Sequence, residues 1–234
     1  MAIVPKSRPV RALLKAMAFA NLAAFVFITP SHAQSLPGLA QGMSQEMRGI
    51  WIETGVREAE RKAILGRIGA AQQAMRQIFG GLYATPQWHI CASPACDQNN
   101  NMTSRAMTYG VFLITMSSKA VADPTTYVHE LTHAQMASAM PLSLGGASRL
   151  PAWFDEGIAT LASKSVGYPA QSTACAAEKG KPLPKNREEF QAFSRQSGGA
   201  GPVYTRSACA VNDWLAGRPL RAARDHLAKV GQLP

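Results

Sequence analysis

The chain has 234 residues, 47% hydrophobic and 16% charged, a balance that suits one ordinary hydrophobic core and excludes a charge-rich disordered chain. Its net charge is +10, but arginines such as Arg187, Arg195, Arg218 and Arg224 lack aromatic interleaving and fall in no nucleic-acid motif. A solvated basic surface is therefore expected, and nucleic acid is not expected as a partner.

At the amino end, Lys6, Arg8, Arg11 and Lys15 lead into an apolar stretch from Ala16 to Ile28, too short to span a bilayer comfortably. Ser31-His32-Ala33 then fits a small-x-small cleavage site, so residues 1–33 read as a secretory signal, with an uncleaved anchor as the alternative. Cleavage before Gln34 removes four positive charges and leaves +6, giving a periplasmic or secreted protein with no stable membrane anchor. Residues 34–45 are a polar, glycine-containing lead-in expected to be loose. From Val56 to Phe79 the apolar positions Ile64, Leu65, Ile68, Ala71, Met75 and Ile78 recur at helical spacing and stop at Gly80-Gly81. The lead-in and this helix make up 34–81, and 82–234 is expected to be the functional domain.

A strand is predicted over Gln87–Ala92, then a polar loop over 93–108, then a strand over Gly110–Thr115, rich in β-branched and aromatic residues. That second strand reads either as ordinary core or as one that offers its backbone to an extended peptide. Asp123-Pro124 is an N-cap followed by proline at the first helical position, and the helix it starts carries His129-Glu130-Leu131-Thr132-His133. Four residues apart on a helix, His129 and His133 share a face and can grip one metal ion. Glu130 then sits beside the open coordination position, where a carboxylate can take a proton from water. Pro151 to Thr160, PAWFDEGIAT, supplies further carboxylates, Asp155 and Glu156, on a second predicted helix. A catalytic zinc site uses three protein ligands and keeps a fourth position open, and Glu156 completes the set.

These residues together resemble the gluzincins, zinc peptidases in which an HExxH helix and a glutamate on the next helix hold the metal. Trp153, Glu156, Gly157 and Ala159 match their W-x-x-E-G-x-A signature, and the similarity runs over about residues 86–165. The resemblance implies zinc on His129, His133 and Glu156, with Glu130 as general base. It also implies that small residues at 157 and 159 let two ligand helices pack closely. The family pattern places an acidic or amide residue at the position of Asp155 without giving it the metal. Met136 and Ala139 stand where a metzincin has glycine and histidine, the aspzincin aspartate motif is missing, and no amine-binding glycine-rich motif precedes the helix. An endopeptidase is expected.

Beyond this pair of helices, Gly167–Asn186 is an irregular stretch read as a mobile cleft wall, and helices are predicted over Gly201–Leu215 and Pro219–Val230. Tyr204 opens the first of these. In small peptidases of the clan such a tyrosine often points at the metal, which implies an oxyanion donor; an amphipathic core tyrosine is the other reading. Tyr109 is the fallback donor, while His89 and His226 read as structural. Cys91, Cys96, Cys175 and Cys209 all lie beyond the signal and suit two disulfides among three possible pairings, with 91–96 and 175–209 favoured over a cysteine metal site.

The expected fold is thus α+β: a small zincin-like domain with a short mixed sheet, an active-site helix and a helical C-terminal part. The expected function is a monomeric zinc-dependent endopeptidase acting on peptide or protein substrates. Its rival is a zinc-binding interaction module on the same fold, which would have no use for Glu130.

Overall fold

The computed structural model describes residues 40–140, 150–163 and 173–231. The expected signal, and the part of the irregular stretch before Thr173, lie outside them. Among the described residues the fold is α+β, with eight helices and a five-stranded mixed sheet. None of these helices is long and apolar enough to cross a membrane.

The sheet begins earlier than expected. Strands β1 (Met43–Met47) and β2 (Ile50–Glu53) form an antiparallel hairpin where only the loose lead-in and its unassigned continuation were foreseen. Helix α1 (Glu58–Phe79) follows and buries Ile64, Ile68, Ala71, Met75 and Phe79 along one stripe. It ends at Gly80, whose left-handed backbone (φ +79°) lets its N–H bond back to the Arg76 carbonyl. The helix carries the chain over to β3 (Gln87–Ile90), which pairs parallel with β2.

The span 93–108, expected as loop throughout, contains both α2 (Pro94–Asn99) and most of β4 (Ala106–Tyr109). The predicted strand 110–115 is displaced to β5 (Leu113–Met116), because Gly110 takes a left-handed φ of +56° and makes Tyr109–Phe112 the turn between β4 and β5. The strand order is β1-β2-β3-β5-β4, so β5 lies inside the sheet and β4 forms its edge. The role of presenting a free strand edge, considered for 110–115, thus passes to β4.

Pairing places Ile50, Trp88, Ile114 and Thr108 in one row across the sheet, and Ile52, Ile90, Met116 and Ala106 in the next. Directly paired residues point to the same face, and the apolar members of both rows are buried against α1 and α3 (Pro124–Ala137), except Ala106 at the edge, which is partly buried. Trp88 stacks on Tyr127 of α3 with ring centroids 5.7 Å apart. In that buried setting the Tyr127 hydroxyl is pushed up to about 12 and donates to the Val121 carbonyl.

Helix α4 (Ala152–Ser163) crosses α7 (Gly201–Leu215) at very short range. A Cβ on Gly157 would meet the Ser207 carbonyl oxygen at 2.5 Å and Val211 Cγ2 at 2.6 Å. The expected need for a small residue there is real, but its cause differs: the atoms nearest a Cβ on Gly157 belong to α7 and not to the histidine-bearing helix α3. Between these helices lie α5 (Thr173–Glu178) and α6 (Arg187–Gln196), and α8 (Arg221–Val230) closes the chain.

The stretch 173–186 is tied down at several points, contrary to the expectation of a mobile wall. Cys175 is bonded to Cys209, buried Arg206 pairs with Glu178 and donates to the Pro182 carbonyl, and the Pro184 and Lys185 carbonyls accept the first N–H groups of α4. The second disulfide joins Cys91 to Cys96, and no free cysteine is found among the described residues. Two disulfides fit folding in an oxidising compartment.

Candidate metal centre

Helix α3 presents the histidines as its sequence dictates. Asp123 caps it by accepting from the Thr125 N–H at 3.0 Å, with Pro124 in the first turn, which sets the phase that turns Leu131 into the core and both imidazoles toward α4. The ring centroids of His129 and His133 are 4.8 Å apart. Glu156, on the second turn of α4, places Oε2 3.1 Å from His129 Nε2 and 3.6 Å from His133 Nε2. The donor atoms of all three residues lie within 4.8 Å of one another, so the group can hold a metal ion. Two donors bound to one tetrahedral zinc at about 2.0–2.2 Å stand roughly 3.3–3.6 Å apart, close to the 3.1 and 3.6 Å that separate Glu156 Oε2 from the two imidazoles.

The electrostatics agree with that donor set. Burial works to lower the pKa of His133, yet the carboxylates of Asp155 and Glu156 outweigh it and hold the imidazole well above its usual range. Burial works to raise Glu156, and the two histidines outweigh it in turn, holding the carboxyl well below its ordinary value. A positive charge is therefore favoured where the three donors converge, as binding of a divalent cation requires.

Asp155 takes a different place from Glu156. Its Oδ1 lies 3.1 Å from His133 Nδ1, the ring nitrogen away from Glu156, at ion-pair distance and without a hydrogen bond on Nδ1. Pairing on Nδ1 favours the tautomer that leaves Nε2 free as a metal donor. The adjacent carboxylates thus divide into one facing the donor cluster and one behind it.

Glu130 is 8% exposed, and its Oε2 accepts from Thr108 Oγ1 at 2.7 Å. Tyr204, in the first turn of α7, packs edge-on against His129 at 5.7 Å and at a tilt against Phe190 at 5.0 Å. Its hydroxyl is raised above the ordinary tyrosine range, first by burial and then by the negative charges of Glu156 and Glu130, so it remains protonated and able to donate. His129, Glu130, His133, Glu156 and Tyr204 all line one cleft of about 930 Å³. Ala106, Met107 and Thr108 of β4 form one wall, and Lys185 and Arg187 lie on the rim by α6.

Tyr109 is not brought into this cleft; it is 47% exposed at the end of β4. His89 is buried in the sheet beside Trp51, and His226 packs on Trp214, both away from the donor cluster. Sequence reasoning did not foresee Thr108, because the polar residue that ends a buried cross-sheet row becomes visible only once the register is known. The pairing of Asp155 with His133 was missed for a similar reason: neighbouring positions on a helix point in directions that only the partner helix makes meaningful.

No protein-family model, curated protein or solved structure matches the chain.

Proposed function

We propose that the chain is a zinc-dependent endopeptidase of the gluzincin kind, with a zincin-like arrangement of sheet edge, histidine helix and glutamate helix. One observation carries this reading: the Nε2 atoms of His129 and His133 and Oε2 of Glu156 face one another in the cleft that also holds the Glu130 carboxylate and the protonated Tyr204 hydroxyl. A binding-only metal site has no need of the last two groups.

Zinc held by His129, His133 and Glu156 would supply Lewis acidity toward the scissile carbonyl and make the attacking water more acidic. Glu130 takes the proton of that water as the new C–O bond forms, then hands it to the amide nitrogen as the C–N bond breaks, leaving a free carboxylate and amine. Tyr204 donates to the carbonyl oxygen as it gains negative charge. The Asp155 carboxylate beside Nδ1 favours a proton on that nitrogen, which leaves His133 Nε2 for the metal.

The substrate class follows from β4. The Ser117 N–H donates to the Arg105 carbonyl, so antiparallel alternation commits the backbone of 107 and 109 to β5 and leaves the N–H and C=O groups of Ala106 and Thr108 on the open edge. An extended peptide can pair there as an added strand, crossing the cleft beside Glu130. The two disulfides suit an enzyme working outside the reducing cytoplasm. Incubating the zinc-loaded protein with a broad peptide library and reading new amino termini by mass spectrometry tests the proposal. Internal cleavage is expected, and a protein that holds one zinc per chain yet cleaves nothing would overturn it.

The part given to Tyr204 has its own expected result. An oxyanion donor acts mainly in the transition state, so Tyr204→Phe should lower kcat by about a hundredfold with zinc content kept and KM little changed. A tyrosine that merely packs on His129 and Phe190 would keep kcat and lose some thermal stability, which kinetics and a melt on the same variant distinguish.

A further inference from the structure

We infer that Thr108 is a positioning residue for Glu130, fixing the carboxylate through one oxygen so that the other is aimed into the cleft. The inference rests on the peptidase reading for its catalytic consequence, but its geometry stands on the sheet alone.

Thr108 is the edge member of the row Ile50–Trp88–Ile114–Thr108, whose other three positions are apolar and buried in the core. The same pleat that turns Trp88 and Ile114 toward the helices turns the Thr108 side chain toward α3, at the level where Glu130 stands. There Oγ1 lies 2.7 Å from Glu130 Oε2 and 2.9 Å from the Glu130 carbonyl oxygen. A hydroxyl has one proton to give, and the carboxylate is the stronger acceptor of the two. Among the described residues no other hydrogen bond reaches the Glu130 carboxylate. Without Thr108, that carboxylate has rotational freedom that a proton-transfer step must first remove.

Thr108 is also one of the two β4 residues whose backbone faces the open edge. The residue that would register an extended peptide along β4 is therefore the one that registers the base. Main-chain pairing and proton acceptance are set from a single Cα, which keeps the scissile carbonyl and the carboxylate in step.

Thr108→Val removes the hydroxyl while keeping the shape and the β-branched preference for a strand, and Thr108→Ser restores a hydroxyl at the same place. With the zinc-loaded mature protein, Thr108→Val should lower kcat by about ten- to a hundredfold, leaving KM, zinc content and melting temperature near wild type. Thr108→Ser should recover most of the rate. A merely structural threonine would instead shift the melt, without rescue of kcat by serine. Carboxyl NMR of protein with carbon-13-labelled glutamate, with Glu130 assigned through Glu130→Gln, reads the contact independently of turnover. The Glu130 signal should move in Thr108→Val and stay near wild type in Thr108→Ser. Wild-type protein that cleaves no peptide would defeat the peptidase reading, while the NMR still decides whether Thr108 holds Glu130. A Glu130 signal unmoved by Thr108→Val, or an unchanged kcat in an active enzyme, overturns the inference.

Discussion

Replacing Glu130 by glutamine is expected to reduce peptide hydrolysis by roughly a hundred- to ten-thousandfold, the range usual for loss of a general base. Glutamine has nearly the same size, so the site, where the residue is 8% exposed, should keep its packing. Its amide oxygen can still accept from Thr108 Oγ1, which sits 2.7 Å from the carboxylate oxygen it replaces. What the amide cannot do is accept and return a proton at neutral pH. The expected variant is thus folded, zinc-replete and nearly inactive. Initial rates with metal analysis on one sample check this, and undiminished turnover in zinc-loaded Glu130→Gln protein would remove Glu130 from the mechanism.

Substitutions at the donors should act on the metal instead. The double variant His129→Ala, His133→Ala deletes two of the three donors that lie within 4.8 Å of one another, and zinc should fall from about one per chain to none after dialysis. The neighbouring carboxylates should then separate. Glu156→Gln removes a donor that faces both Nε2 atoms and should lose most of the zinc. Asp155→Asn disturbs only the partner behind His133 and should weaken zinc affinity by about ten- to a hundredfold, as for other residues that orient a ligand. Competition with a chelator of known affinity reads all three. Stoichiometric zinc in the double histidine variant, or tighter binding in Glu156→Gln than in Asp155→Asn, contradicts the assignment of donors.

Sequence legibility followed the length and autonomy of each element. Helix α3 announced itself through Asp123, Pro124 and the histidine spacing, because capping and phase are local, and α7 runs over Gly201–Leu215 as expected. Helix α1 was readable because its apolar stripe repeats over six turns. The pairings Cys91–Cys96 and Cys175–Cys209 also stand as expected. The four-residue strands were harder. Ala106–Tyr109 is too short to display a period of two, and its residues are only partly covered because it is an edge, so it read as loop. Strand β1, Met43–Met47, has mostly polar residues that an edge position tolerates. The reason for Gly157 could not be read locally either, since the atoms that exclude a Cβ belong to Ser207 and Val211, about fifty residues away. The cleft wall was misjudged because prolines and lysines signal irregular backbone, while its restraints, Cys209, Arg206 and the start of α4, are all tertiary.

The most direct measurement is peptide hydrolysis as zinc is returned to the metal-free protein, with cleavage and bound metal followed in the same titration. Cleavage should be absent without metal, rise in proportion to zinc bound, and level off at about one zinc per chain, the occupancy a single three-ligand site allows. Full cleavage by the metal-free protein, or none by protein carrying one zinc on His129, His133 and Glu156, would contradict the account.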